Sequence, residues 1–307
     1  MSLQSELTVR VRVPATTANL GPGFDCLGLA LDLWNEAEFK LEGSGVVVEV
    51  SGEGGDVLPR GRENLVAMAA LRLFEKAGEP EPPGLHIRCS NSIPLGSGLG
   101  SSAAAVVMGL VGANRLFGQP LSREEILAIA TEMEGHPDNA TAALWGGLTA
   151  AVKTTSGVIC RKIDAAELKM AIAVPKFDLP TRVARAALPG QVSMSDAVFN
   201  LSRSVLVVEA LRSGDLELLA QVADDRLHQT YRLPLIPGAE AARKAALDAG
   251  AAACVLSGAG PSLLAVVREN PAEIGEAMAA AFLNAGLEAR LFMPVISRGG
   301  AEARIDY

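Results

Sequence analysis

The amino-acid sequence predicts a mixed α and β fold in two parts. Short β-branched segments alternate with segments of helical periodicity along the whole chain. The 307 residues suffice for one large or two ordinary domains, and 49% of them are apolar. The pattern loosens into polar residues around 155–166. We therefore expect one domain over residues 1–160 and a second over residues 161–307.

Composition and charge exclude several classes of protein. The formal net charge of −8 argues against a surface whose main role is to bind nucleic acid. Apolar runs are too short to cross a bilayer, and residues 1–10 lack the apolar core of a signal peptide. The 4 cysteines are scattered without a C-x-x-C pair, which favours reduced thiols in a cytoplasmic protein over a zinc site or disulfides.

Helix signals are clear in the first half of the chain. Asn64 precedes a run of helical periodicity and is expected to cap it, while Ser122 and Glu125 have the spacing of a capping box. We predict strands at residues 9–13, 46–50 and 85–89, and helices at residues 63–77, 101–117 and 122–134.

The second half continues the alternation of strands and helices. Thr181 is expected to cap a short helix, on which Arg182 and Arg185 would lie on neighbouring faces. We predict strands at residues 168–174, 253–256, 263–267 and 287–295, and helices at residues 193–212, 215–227, 240–249 and 272–285.

A glycine-rich turn joins a predicted strand to a predicted helix. Gly96, Gly98 and Gly100 alternate ahead of Ser101 and Ser102. The first N–H groups of a helix lack internal partners and the dipole makes that end positive, so a glycine turn there is suited to bind phosphate. The spacing matches neither a Walker loop, which needs lysine, nor the dinucleotide fingerprint. The alternative is an ordinary turn capped by serine.

Two further loops carry polar groups that a simple connection does not require. Residues 19–25 hold an amide and a carboxylate around a Gly-Pro-Gly sequence. Residues 134–139 bring together a glutamate, a histidine, an aspartate and an asparagine. The simpler interpretations are a turn for the first loop and, for the second, a helix connection capped by Asp138. We interpret both loops as facing a ligand.

Three stretches together resemble a known enzyme family. Residues 14–30, 94–104 and 257–262 are similar, in this order, to motifs of the small-molecule kinases named after galactokinase, homoserine kinase, mevalonate kinase and phosphomevalonate kinase. Residues 12–25 and 134–139 resemble the homoserine kinase branch. The resemblance covers essentially the whole chain. It implies an α+β fold with an N-terminal ATP-binding domain, a C-terminal ferredoxin-like domain and an active site between them.

The resemblance implies transfer of the γ-phosphoryl group of ATP to the side-chain hydroxyl of L-homoserine, a step of threonine biosynthesis. Magnesium prefers hard oxygen ligands, and we expect Ser102 and Glu134 to supply them. Glu132 is the competing carboxylate, but it should point to a different side of its helix. The residues expected to hold the ATP phosphates are Pro94, Leu95, Gly96, Ser97, Gly98, Leu99, Gly100, Ser101, Ser102, Ala103 and Ala104.

An amino-acid substrate needs a partner for each of its two charges. By the same resemblance, Arg185 and Arg232 would bind the carboxylate, since arginine binds carboxylates bidentately, and Asp25 would bind the ammonium group. No general base is assigned, although an aspartate is available. The remaining predicted site residues are Asn19 and His136 for substrate binding, and Asp138 and Asn139 for catalysis.

Rival functions stay open at this point. One is a kinase of the same family that acts on mevalonate or a sugar-like alcohol, and another is a non-catalytic sensor of ATP or an amino acid. The presence of Ser102, Glu134 and the full glycine loop argues against a sensor. Thr17 stands where the family has a serine, and residues 141–143 replace an alanine-proline pair, but neither difference removes a functional group. A homodimer is a family-level expectation.

Overall fold

The computed structural model describes residues 7–306 and contains two β-sheets covered by helices, which confirms the predicted α+β architecture. The strands are β1 (Thr8–Ala18), β2 (Leu27–Lys40), β3 (Gly45–Gly52), β4 (Gly84–Asn91), β5 (Leu148–Thr154), β6 (Gly157–Ile163), β7 (Lys169–Pro175), β8 (Ala251–Leu256), β9 (Leu263–Val267), β10 (Ala289–Phe292) and β11 (Glu302–Asp306). The helices are α1 (Leu65–Ala77), α2 (Ser101–Leu116), α3 (Arg123–Glu134), α4 (Asp138–Trp145), α5 (Thr181–Ala186), α6 (Met194–Ser213), α7 (Leu216–Val222), α8 (Gln229–Arg232), α9 (Ala239–Asp248) and α10 (Pro271–Asn284).

The first sheet has the strand order β11-β1-β2-β4-β3, and the β5–β6 hairpin pairs with β2 near its start. β1 alternates buried valines with exposed Arg10 and Arg12, which is the pattern that predicts it. α2 packs against both α1 and the sheet. A Cβ at Gly109 would collide with the carbonyl oxygen of Val66 in α1, so this glycine allows the two helices to lie close together.

The second sheet is antiparallel, with the order β10-β7-β9-β8. α9 and α10 pack against each other and against this sheet. Their contact surface includes Met278 and Phe282, which are both fully buried. This strand order, with two packed helices, is the expected ferredoxin-like arrangement.

The two helix caps predicted in the first half of the chain are present. The side chain of Asn64 accepts a hydrogen bond from the N–H of Val66, and Ser122 and Glu125 form the two reciprocal bonds of a capping box. Among the described residues, no helix combines the length and the apolar character that crossing a bilayer requires.

The edges of the first sheet differ from the prediction. Residues 155–166, expected as a loose polar boundary, contain β6, an exposed edge strand in which polar residues on both faces hide the alternation. The strand predicted at residues 287–295 is only β10, and the chain continues to β11, which returns to pair with β1. The division at residues 160 and 161 falls within β6 and stays a prediction.

Two helix boundaries also need correction. The helix predicted at residues 215–227 ends at Val222, and the side chain of Asp225 accepts the backbone N–H groups of the turn that leads into the separate helix α8. Thr181 is not a cap. It is the first helical residue of α5, and Pro180 occupies the cap position without a side-chain bond.

Candidate active site

A cavity of about 390 Å³ is lined by residues from both halves of the chain. It brings together every residue that the sequence predicts for substrate binding, metal binding and catalysis. The lining residues are Asn19, Asp25, Gly96, Gly98, Gly100, Ser101, Ser102, Ala103, Met133, Glu134, His136, Asp138, Asn139, Thr181, Arg185, Arg232, Gly258, Ala259 and Gly260.

The glycine turn lies between β4 and α2 and forms one wall of the cavity. Gly96, Gly98 and Gly100 have φ angles of 59°, 83° and 69°, in the left-handed region that favours glycine. No side chain caps α2, which excludes the alternative of a serine-capped turn and leaves the first N–H groups of the helix available to an anion. The buried hydroxyl of Ser97 donates to the carbonyl of Pro94 and stabilises the turn from behind.

Gly98 also allows the two halves of the chain to meet. A Cβ at this position would collide with the carbonyl oxygen of Ser257 and would lie 2.8 Å from that of Gly260. The hydroxyl of Ser257 donates to the carbonyl of Gly98 over 2.8 Å, so the second glycine-rich turn packs directly on the first. The backbone of Gly98 is therefore constrained by packing as well as by any ligand.

The predicted metal ligands are in contact. The hydroxyl of Ser102 donates to Oε1 of Glu134 over 2.5 Å, and both side chains line the cavity. Burial raises the pKa of Glu134. Glu132 points elsewhere, towards α1, where the Nζ of Lys76 lies 3.1 Å from it and a guanidinium nitrogen of Arg72 lies 3.4 Å away.

The connection between α3 and α4 forms a chain of hydrogen bonds. Asp138 is 2% exposed, and its Oδ1 lies 2.5 Å from Nδ1 of His136 and 2.8 Å from the N–H of Asn139. Burial alone would lower the pKa of His136, but the hydrogen bond and the charge of Asp138 raise it above the ordinary value. The hydroxyl of Thr16 donates to Oδ1 of Asn139 over 2.8 Å, which orients that amide.

Asp25 and Arg185 form an ion pair at the cavity wall. Two guanidinium nitrogens lie 3.0 and 2.8 Å from the two carboxylate oxygens, and the hydrogen bond raises the pKa of Arg185. The side chains of Asp25 and Arg185 are 34% and 37% exposed. Asn19 holds this loop, since its Oδ1 accepts the N–H of Asp25 and its amide donates to the carbonyl of Gly258. The two predicted partners of substrate charges thus neutralise each other in this structure.

Arg232, at the end of α8, is a buried cation with only 1% of its surface exposed. Its guanidinium donates over 3.3 and 3.5 Å to the carbonyls of Ala184 and Gly258, and it lies 5.1 Å from the ring centre of Phe24. Within residues 7–306, no carboxylate lies at salt-bridge distance from it. Burial and repulsion from Arg185 lower its pKa to about 10, so it remains charged at neutral pH. A buried charge of this kind requires an anionic partner.

Comparison with known proteins agrees with this geometry. The family model described as GHMP kinases N terminal domain matches residues 64–147, and that described as GHMP kinases C terminal matches residues 207–284. A curated homoserine kinase of Moorella thermoacetica is 47% identical over 91% of this chain and 94% of its own length. A homoserine kinase of Desulfitobacterium hafniense is 44% identical over 95% of this chain and 99% of its own.

The chain belongs to the homoserine kinase family of the GHMP kinases. The predicted family is thus confirmed. A crystal structure of homoserine kinase from Cytophaga hutchinsonii, 32% identical, superposes with a TM-score of 0.87 over 99% of both chains. Mevalonate kinase of L. major has the same fold at 15% identity, with a TM-score of 0.67.

Not all of the residues predicted for this homoserine kinase family member face the cavity. Pro94 and Leu95 border a neighbouring groove, while Ser97, Leu99 and Ala104 are buried and support the turn. The residues that the sequence reasoning missed at the site are Thr16, Met133, Thr181 and Gly258, Ala259 and Gly260 of the second glycine-rich turn. The glycine spacing of that turn was the available signal for the last three.

Proposed function

We propose that this GHMP kinase transfers the γ-phosphoryl group of ATP to the side-chain hydroxyl of L-homoserine and forms O-phospho-L-homoserine, as in threonine biosynthesis. The observation that carries the proposal is Arg232, a buried cation that has no carboxylate partner among the described residues and that lies in a cavity also lined by the glycine turn. Kinase family membership supports ATP as the donor.

The nucleotide is proposed to span two adjoining spaces. Its phosphates would lie against the N–H groups of the glycine turn and the start of α2. Its base would lie in the neighbouring groove, which is bordered by the exposed apolar side chains of Val57, Leu95 and Leu283. Aromatic bases favour such apolar surfaces.

Ser102 and Glu134 are proposed as the protein ligands of Mg²⁺. Two adjacent oxygen donors suit this hard cation, which usually keeps several waters and phosphate oxygens as further ligands. Residues 7–306 contain no group of three His, Cys, Asp or Glu side chains arranged to hold a metal, so the fit depends on such shared coordination. When bound, the ion would supply the positive charge that a lysine supplies in a Walker loop.

Asp138 and Asn139 are proposed to position the acceptor hydroxyl. The oxygen of that hydroxyl forms a bond to the γ-phosphorus while the bond from phosphorus to the β-phosphate oxygen breaks, which releases ADP, and the hydroxyl proton passes to solvent. Asp138 is within reach of the cavity but already accepts hydrogen bonds from His136 and Asn139. Because the transition state is loose, positioning contributes more than proton removal, and we assign no general base.

The two charges of homoserine would exchange partners with the ion pair in the cavity. The substrate carboxylate would bind Arg232 and Arg185, and the ammonium group would bind Asp25, with Asn19 and His136 orienting the remainder. Homoserine carries both charges, so it can pair with both members of the ion pair that it opens. A ligand with one charge leaves one member of that pair without a partner. The arrangement therefore favours an amino acid over mevalonate.

A coupled assay of ADP release with L-homoserine, mevalonate, galactose and simple amino alcohols tests the proposal. Homoserine should have the highest kcat/KM, and Arg232→Leu should abolish its use while nucleotide affinity is kept. Phosphorylation of mevalonate without that of homoserine would overturn the acceptor. ATP binding without any ADP release would instead indicate a sensor.

The cysteines bear on where the protein acts. Cys26, Cys89, Cys160 and Cys254 are unpaired thiols, which supports a reducing compartment such as the cytoplasm. A homodimer stays a prediction from the family.

A further inference from the structure

Asp225 is a buried carboxylate outside the cavity. Its side chain is fully buried and accepts hydrogen bonds from three successive backbone N–H groups, those of Leu227, His228 and Gln229, over 3.1, 2.9 and 2.6 Å. A fourth bond comes from the amide of Asn200 over 2.6 Å. Burying a carboxylate is costly unless such donors surround it, and these four hydrogen bonds supply them.

These bonds fix the one-turn helix that carries Arg232. The N–H of Arg232 donates to the carbonyl of His228, so the backbone of Arg232 is fixed by the turn that Asp225 holds. Gln229 ties the same turn to the end of β8, directly before the second glycine-rich turn, because its Oε1 accepts the N–H of Leu256 over 2.7 Å. The carbonyl of Gly258 in the second glycine-rich turn accepts a hydrogen bond from the guanidinium of Arg232. The negative charge of Asp225 also opposes the loss of charge from this buried arginine.

We propose that Asp225 is a positioning residue that holds Arg232 where the substrate carboxylate binds. The inference rests on the proposed function, since it takes that carboxylate as the ligand of Arg232. An isolated helix of four residues is not stable in water, so its geometry depends on the bonds that anchor it. Without the carboxylate cap, the turn should loosen and Arg232 should lose its fixed place.

Inhibition by two fragments of the substrate distinguishes a positioning role of Asp225 from a general effect on the stability of the protein. γ-Hydroxybutyrate is homoserine without its amino group, and propanolamine is homoserine without its carboxylate. Each is measured as a competitive inhibitor against homoserine, together with the KM for ATP. In Asp225→Asn the inhibition constant of γ-hydroxybutyrate and the KM for homoserine should rise roughly 10- to 100-fold, the size seen when residues that orient a metal ligand are removed. Propanolamine and ATP should change less than about twofold, because neither contacts Arg232.

A control variant and a second test variant complete the experiment. Asp215→Asn makes the same change at the exposed cap of α7, where Asp215 accepts the N–H of Leu218, and should leave all four constants unchanged. Asn200→Ala removes one of the four donors to Asp225. It should raise the inhibition constant of γ-hydroxybutyrate by a smaller factor than Asp225→Asn does. This variant decides the question if Asp225→Asn does not fold.

The outcomes distinguish this inference from the proposed function. If Asp225→Asn weakens the binding of both fragments equally, or of neither, Asp225 is only a structural residue and the inference fails. If Asn200→Ala is the deciding variant, equal effects on both fragments, or none, lead to the same conclusion. If the unaltered enzyme does not phosphorylate homoserine, the proposed function itself fails.

Discussion

Replacing Asp25 by asparagine should change the affinities for the two substrate fragments in opposite directions. In the present structure Asp25 and Arg185 bind each other through two hydrogen bonds of 3.0 and 2.8 Å. A ligand with a single charge must separate this pair and leaves one member without a partner. The substitution removes the carboxylate charge with little change in shape, so Arg185 becomes free for a ligand carboxylate while a ligand ammonium loses its partner.

The magnitudes follow from the exposure of the pair. Since Asp25 and Arg185 are 34% and 37% exposed, solvent screens them, and separating the pair should cost about 1 kcal/mol. γ-Hydroxybutyrate should therefore bind about fivefold more tightly to Asp25→Asn. Propanolamine loses a charge-assisted hydrogen bond worth about 1.5–3 kcal/mol but, like γ-hydroxybutyrate, no longer has to open the pair, so it should bind roughly 2- to 30-fold more weakly. Homoserine should weaken by a similar factor, because it too loses the ammonium contact and no longer has to open the pair.

Competitive inhibition constants for both fragments, measured with nucleotide affinity as a separate readout, provide the assay. Asp248→Asn, an exposed substitution on α9, is the matched control and should change none of the constants. Weaker binding of γ-hydroxybutyrate to Asp25→Asn would refute the reasoning, because it would mean that Arg185 needs Asp25 in order to bind the carboxylate. Unchanged constants for both fragments would mean that neither charge of this pair contacts the substrate.

Three further predictions follow from the geometry. Glu134→Gln should lower kcat strongly and raise the Mg²⁺ concentration needed for half-maximal rate, whereas Glu132→Gln, which only loosens surface ion pairs with α1, should leave both within about twofold; a Mg²⁺ titration of both variants checks this. Gly98→Val should lower thermal stability as well as activity, since its side chain meets the second glycine-rich turn, and a full activity loss at unchanged melting temperature would show that ligand approach alone matters. Cys89 and Cys254, whose thiol pKa values burial raises to about 12, should not react with a thiol reagent near pH 8 until the protein unfolds, because the thiolate fraction at that pH is negligible; rapid labelling of the native protein at either thiol would contradict their burial.

Local features of the fold and site could be predicted from the sequence. The caps at Asn64 and Ser122 were correct because a cap depends on residues within one helical turn. The prediction of the glycine turn ahead of α2 was confirmed for the same reason. The left-handed conformation and the open N–H groups are properties of a few adjacent residues. The choice of Glu134 over Glu132 for the cavity followed from helix geometry, although its role as a metal ligand stays a prediction.

Contacts between distant segments could be decided only by the tertiary structure. Asp25 and Arg185 are 160 residues apart, and nothing in their local sequences indicates that they pair with each other before any substrate binds. The return of β11 to β1 and the packing of Ser257 on Gly98 are likewise set by how the two sheets meet. Periodicity and capping describe which face of an element is apolar or where it ends, whereas the partner of that face depends on the packing of the whole chain.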